Sequence, residues 1–139
     1  LSKARFKVER VDSEPEQIRL RSVHWDGELM YVPAIDFPHS DDATGQHRRQ
    51  VLVSKVLPAN ADTLSKARFK VELVDGDFEQ IRLRSVHFND QFVYTPDINF
   101  DDERRQLLVY KKAGGEDLKN KSKFHIEWVE RPLQAAPID

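Results

Sequence analysis

Two short stretches of this chain carry the side chains best suited to hold a ligand. One is His24-Trp25-Asp26 and the other is His87-Phe88-Asn89-Asp90, each followed by a tyrosine, Tyr31 and Tyr94. An aromatic ring flanked by imidazole, carboxylate and amide groups has the make-up of a sugar site. The ring packs on apolar C–H faces while the polar groups fix hydroxyls. The plainer alternative is that Trp25 and Phe88 close off the end of a β-structure, with the histidines as turn residues. Duplication of the pattern does not choose between the two, because its surroundings are duplicated as well.

Other groupings have suitable residue types but weaker spacing. Asp97, Asn99 and Asp101 stand one, three and five in a calcium-type order, yet Asp102 occupies the place of the turn glycine and Leu108 that of the last glutamate. The matching Ala34-Ile35-Asp36-Phe37 lacks the first ligand, so a solvated loop without metal is expected. His39, Asp41, Asp42 and His47 have the donor atoms for a divalent metal, but a long polar loop does not preorganise them. Arg19/Arg21 and Arg82/Arg84 have the charge to meet an anionic partner, such as a sulfated sugar. Cross-strand carboxylates, Glu9 and Glu72 among them, are the simpler partners. The chain has no cysteine, no serine in a Gly-x-Ser-x-Gly elbow and no glycine-rich phosphate loop. No catalytic residue, cofactor or metal is expected, and the chain reads as a non-enzyme.

The elements that position these residues come from an internal repeat. LSKARFKVE at 1–9 recurs at 64–72, and QIRLRSVH at 17–24 recurs at 80–87. Tyr31 matches Tyr94, Pro33 matches Pro96, Ile35 matches Ile98 and Phe37 matches Phe100; Arg48-Arg49-Gln50 matches Arg104-Arg105-Gln106. The first copy carries PHSDDATGQH where the second carries only DDE, an insertion of the kind surface loops accept. A third, partial copy begins at Lys123-Phe124-His125-Ile126-Glu127. A repeat dictates architecture, because each unit must share its apolar face with its neighbour.

Each unit reads as four short strands. Ala4 to Glu9 and Ile18 to Ser22 alternate with period two, which puts Ile18 and Leu20 on one face and both arginines on the other. Asp26-Gly27 signals a turn before Leu29 to Val32, and Val51-Leu52-Val53 is the fourth apolar run. The second copy repeats this at Ile81 to Ser85, Phe92 to Thr95 and Leu107 to Tyr110, then Phe124 to Trp128 opens the third. Helical periodicity is not convincing anywhere. Phe6, Phe69 and Phe124, with Val8, Val71 and Ile126, are expected in the core. The fold class is therefore all-β. Residues 1–130 form a single repeat-built domain, with unit one about 6–68, unit two about 69–123 and a partial unit at 124–130; 131–139 is an extended tail.

IRLRSVHWDGELMY at 18–31 and IRLRSVHFNDQFVY at 81–94 resemble the β-trefoil repeat, most closely that of fascin-like and amaranthin-type agglutinin domains. The likeness spans about residues 4 to 130. It implies a β-trefoil-like fold of four-stranded units, of which about nine strands are present, with three absent from the front. Open edges and core would then be completed by sequence upstream of Leu1, or by a second chain in a homo-oligomer. A different β-barrel or sandwich with two related halves is the alternative.

Bulk composition narrows the classes. The 139 residues hold 22 Lys plus Arg against 24 Asp plus Glu, a formal charge of −2, which argues against a nucleic-acid binder. No apolar run is long enough for a membrane span. The lack of cysteine and of a signal-like segment tilts toward a cytoplasmic or nucleocytoplasmic place, with secretion still open. Together these features imply a non-catalytic binding module, first of all a lectin-like, carbohydrate-binding one. Its ligand residues would be His24, Trp25, Asp26, Tyr31, His87, Phe88, Asn89, Asp90 and Tyr94, and its partner a glycan or glycoprotein. The alternative is a protein-interaction or inhibitory module of the actin-binding or protease-inhibitor trefoil type, using the loops Pro38 to His47 and Ala113 to Lys121.

Overall fold

The two copies of Phe-Lys-Val-Glu and Gln-Ile-Arg-Leu-Arg-Ser fold into twin hairpins. In this computed structural model, residues 4–38, 47–55, 64–89, 91–99, 101–111 and 116–127 are described. Strand β1 (Phe6–Val11) pairs antiparallel with β2 (Glu14–Ser22), and β6 (Phe69–Val74) pairs the same way with β7 (Asp77–Ser85). The registers are equivalent: Phe6 faces Ser22 as Phe69 faces Ser85, and both ladders shift at the same place, Arg10/Val11 and Leu73/Val74. Alternation decides which side chains share a face. Val8 lies opposite Leu20 and Val71 opposite Leu83, while the charged residues take the other face.

Between the hairpins run shorter strands: β3 (Leu29–Tyr31), β4 (Arg48–Gln50), β5 (Leu52–Ser54), β8 (Val93–Tyr94) and β9 (Leu108–Tyr110). β3 pairs with β5 and β8 with β9, which sets Met30 opposite Val53 and Val93 opposite Val109. The bridges Asp36–Arg49 and Asn99–Arg105 are equivalent hairpin contacts in the two units. The expected fourth run of unit one, Val51 to Val53, falls at β5, and an additional strand precedes it: β4 pairs with β9 of unit two, β5 pairs with β3, and the buried Val51 marks the change of partner. Ten strands are thus described rather than nine.

Units stack through one repeated contact. Ile18 of β2 lies opposite Phe69 of β6, and Ile81 of β7 lies opposite Phe124 of β10 (Phe124–His125). A backbone bond repeats as well, from the Val32 N–H to the Lys66 carbonyl at 2.9 Å and from the Thr95 N–H to the Lys121 carbonyl at 2.9 Å. The core that results holds Ile18, Met30, Val32, Val51, Phe69, Ile81, Leu83, Val93 and Val109.

Two expectations are corrected. A short helix, α1 (Glu116–Lys121), precedes β10, with Glu116 and Asp117 in its first turn and Lys119 and Lys121 in its last. That order complements the helix dipole, and the helix is too short for any periodicity to reveal. Val8 is 53% exposed rather than in the core, and Phe6 is half-buried where its equivalent Phe69 is fully buried. The physical reason is position: among the described residues β1 pairs only with β2, whereas β6 lies between β7 and β2. Trp128 and the tail 131–139 lie outside the described residues.

Candidate functional site

The turns after β2 and β7 are built by a serine. Buried Ser22 accepts a hydrogen bond from the Trp25 N–H at 2.9 Å, and Ser85 accepts one from the Phe88 N–H at 3.0 Å. The backbone closes each turn with Glu28 N–H to Trp25 carbonyl at 3.1 Å and Gln91 N–H to Phe88 carbonyl at 3.2 Å. Gly27 takes a φ of 86°, the left-handed value that the third position of such a turn requires. On this frame His24 meets the Trp25 ring edge-on at 4.6 Å, and His87 meets Phe88 likewise at 4.6 Å. The two turns thus set each histidine edge-on to the aromatic ring that follows it.

Their surroundings differ. The Trp25 ring is 51% exposed, with Asp26 exposed beside it. Phe88 is half-buried and packs against the core, and the Arg49 guanidinium lies 3.8 Å from its ring centroid. Arg49 is held there by a bond from its Nε to the Gln91 side-chain oxygen at 3.2 Å. Burial pushes its pKa below the ordinary arginine value, against the opposing pull of Asp36. His87 Nδ1 lies 2.7 Å from the Ser65 hydroxyl. Arg49, Ser65 and the two capping serines went unnoticed in the sequence; Arg49 is sequence-distant from Phe88, and only tertiary pairing joins them.

Tyr94 is not at the turn surface. It is buried, accepts a bond from Arg48 Nε at 2.9 Å through its hydroxyl, and meets Tyr110 edge-on at 5.7 Å. Its place is the junction between the units. Tyr31 is half-buried on β3, Asn89 is exposed next to Phe88, and Asp90 lies outside the described residues.

The other groupings resolve into ion pairs. Asp97 is bonded by Lys121 Nζ at 2.6 Å, and Asp101 accepts the N–H groups of Glu103 and Arg104 at 2.9 Å each while pairing with the Arg104 guanidinium. These partners hold both carboxyls below their usual pKa. Among the described residues no set of three or more His, Cys, Asp or Glu is placed to hold a metal. His39, Asp41 and Asp42 fall outside those residues, and so does most of the expected loop Pro38 to His47; of the other, Ala113 to Lys121, residues 116–121 are helix α1 and the rest lie outside. Arg21 forks onto Glu9 at 2.6 and 3.0 Å, and Arg84 pairs with Glu72. The Arg21 bond holds the Glu9 carboxyl below the ordinary range. Among the described residues no helix is long and apolar enough to cross a membrane.

No protein-family model matches the chain, and no curated protein matches it. Among solved structures it is similar to a BEL beta-trefoil in an apo crystal form, at 13% sequence identity and a TM-score of 0.50. The match covers 86% of this chain and 66% of that one, so the chain spans about two thirds of that structure's length. At this identity the likeness bears on the fold alone, and the fold is all-β and trefoil-like.

Proposed function

We propose that the chain is a non-catalytic binding module whose ligand is a carbohydrate held on the ring of Trp25. One observation carries the reading: a half-exposed indole stands on a serine-capped turn, with His24 edge-on and Asp26 alongside. The fixed ring offers an apolar face at little entropic cost, and the imidazole and carboxylate are in reach of hydroxyls. The motif IRLRSVHWDGELMY, which resembles fascin-like and amaranthin-type repeats, adds support from sequence. Unit two contributes no second site of this kind, because Arg49 takes the face of Phe88.

The test is a glycan array followed by titration of the best ligand. The native chain binds, Trp25→Ala loses binding while staying folded, and Phe88→Ala keeps the native affinity in whatever fraction remains folded. Folded native protein that binds no glycan, with positive controls intact, contradicts the proposal.

A further inference from the structure

The turns around Trp25 and Phe88 repeat one backbone arrangement. In each, a serine hydroxyl accepts the N–H of the aromatic residue, Trp25 to Ser22 at 2.9 Å and Phe88 to Ser85 at 3.0 Å. The N–H groups of Ser22 and Ser85 donate to the carbonyls of Glu28 and Gln91, both at 2.9 Å. Val23 and Val86 bond the carbonyls of Arg5 and Arg68, both at 3.1 Å. Glu28 therefore holds the place of Gln91, Asp26 that of Asn89 and Trp25 that of Phe88.

In unit two this turn already holds a ligand, supplied by the chain itself. The Arg49 guanidinium lies 3.8 Å from the Phe88 ring centroid, and its Nε donates to Gln91 Oε1 at 3.2 Å. A ring face with a side-chain acceptor beside it is a seat for a flat cation. Unit one has the same seat built from stronger parts. An indole attracts a cation better than a phenyl ring does. Glu28 places a carboxylate where Gln91 has a neutral amide, and a guanidinium bond to a carboxylate is roughly twice as strong. Asp26-Gly27-Glu28 carries two carboxylates, against one in Asn89-Asp90-Gln91. The cation next to each turn is already answered, since Arg21 pairs with Glu9 as Arg84 does with Glu72. The Trp25 ring is 51% exposed, and Glu28 is half-buried.

We propose that the turn around Trp25 is a receptor for an arginine side chain of another polypeptide. The guanidinium stacks on the indole as Arg49 stacks on Phe88. The Glu28 carboxylate accepts its Nε–H as the Gln91 amide oxygen accepts that of Arg49. Asp26 adds negative charge at the rim. The occupant follows from the chain's own example, a peptide arginine read by a ring and one acceptor. A planar donor fork fits such a seat where the point charge of a lysine does not. The inference does not rest on the carbohydrate reading; the two share Trp25, so glycan and arginine compete for the ring.

The test is a nuclear magnetic resonance titration with N-acetylarginine amide as the probe. The chain has two tryptophans, and Trp25→Phe identifies which indole N–H signal belongs to Trp25. That signal shifts saturably as the probe is added. N-acetylcitrulline amide, which keeps the shape and lacks the charge, binds about tenfold more weakly. Glu28→Gln supplies the acceptor of unit two and leaves the backbone bonds of the turn in place; it weakens arginine binding about threefold. Trp25→Ala, followed at the Glu28 backbone N–H, loses the binding. A Trp25 signal that ignores arginine, an equal affinity for citrulline, or a Glu28→Gln chain that binds as tightly as the native one each overturns the proposal. No glycan enters these titrations, so they fail or succeed apart from the carbohydrate assay.

Discussion

Phe6 and Phe69 are the same residue in the same nine-residue context, and truncating each to alanine should cost different amounts. Phe69 is fully buried between β7 and β2, so Phe69→Ala removes the ring's transfer energy and leaves a cavity, about 3–5 kcal/mol. Phe6 is half-buried on a strand paired on one side among the described residues, and its surroundings can close in. We expect about 1–2 kcal/mol for Phe6→Ala, since burial is partial and little cavity is left. Urea unfolding followed by far-ultraviolet circular dichroism, at concentrations where light scattering reads one chain, measures both. A domain stable by about 5–15 kcal/mol has room for the first loss except near the lower end of that range. Should Phe69→Ala not fold, Phe69→Leu against Phe6→Leu keeps the order. Equal costs would refute the reasoning, because local sequence alone would then set the energetics.

Other predictions follow from particular contacts. Nothing lies within 4 Å of a Cβ built on Gly27 or Gly76, and both have positive φ, so alanine at either costs about 1 kcal/mol through backbone strain alone; urea midpoints at unchanged slope would show it. Ser85→Ala removes the fully buried hydroxyl that accepts the Phe88 N–H and should cost about 1–2 kcal/mol by the same measurement. Arg21 depresses the pKa of Glu9, and Lys121 and Arg104 do the same for Asp97 and Asp101. A depressed carboxyl stabilises the fold above its unfolded pKa, about 4, and that stability is lost as pH falls through the folded value. Acid titration should therefore destabilise the chain below about pH 4, and Glu9→Gln should be less stable at neutral pH with a shallower acid slope.

Much of the fold was legible because the repeat and the period-two alternation agree. Ile18, Leu20 and their twins Ile81 and Leu83 point inward as alternation requires, and Arg21 and Arg84, next along each strand, meet Glu9 and Glu72. What escaped was whatever depends on a neighbouring unit. Val8 and Val71 read alike, and only the presence of β2 beside β6 separates them. The same holds at the site, where His24/Trp25 and His87/Phe88 look equivalent until Arg49 crosses from one unit to the other. Tyr94 could not be told from a surface tyrosine without its Arg48 and Tyr110 contacts. Helix α1 was hidden by brevity, its six residues showing charge order but no apolar stripe.

Cross-strand nuclear Overhauser contacts at the two unit junctions test the account at its root. Strands stacked in one repeated register give contacts between Ile18 and Phe69 and, equally, between Ile81 and Phe124. Finding either pair far apart, or finding helical contacts across Gln80 to Ser85, would contradict it.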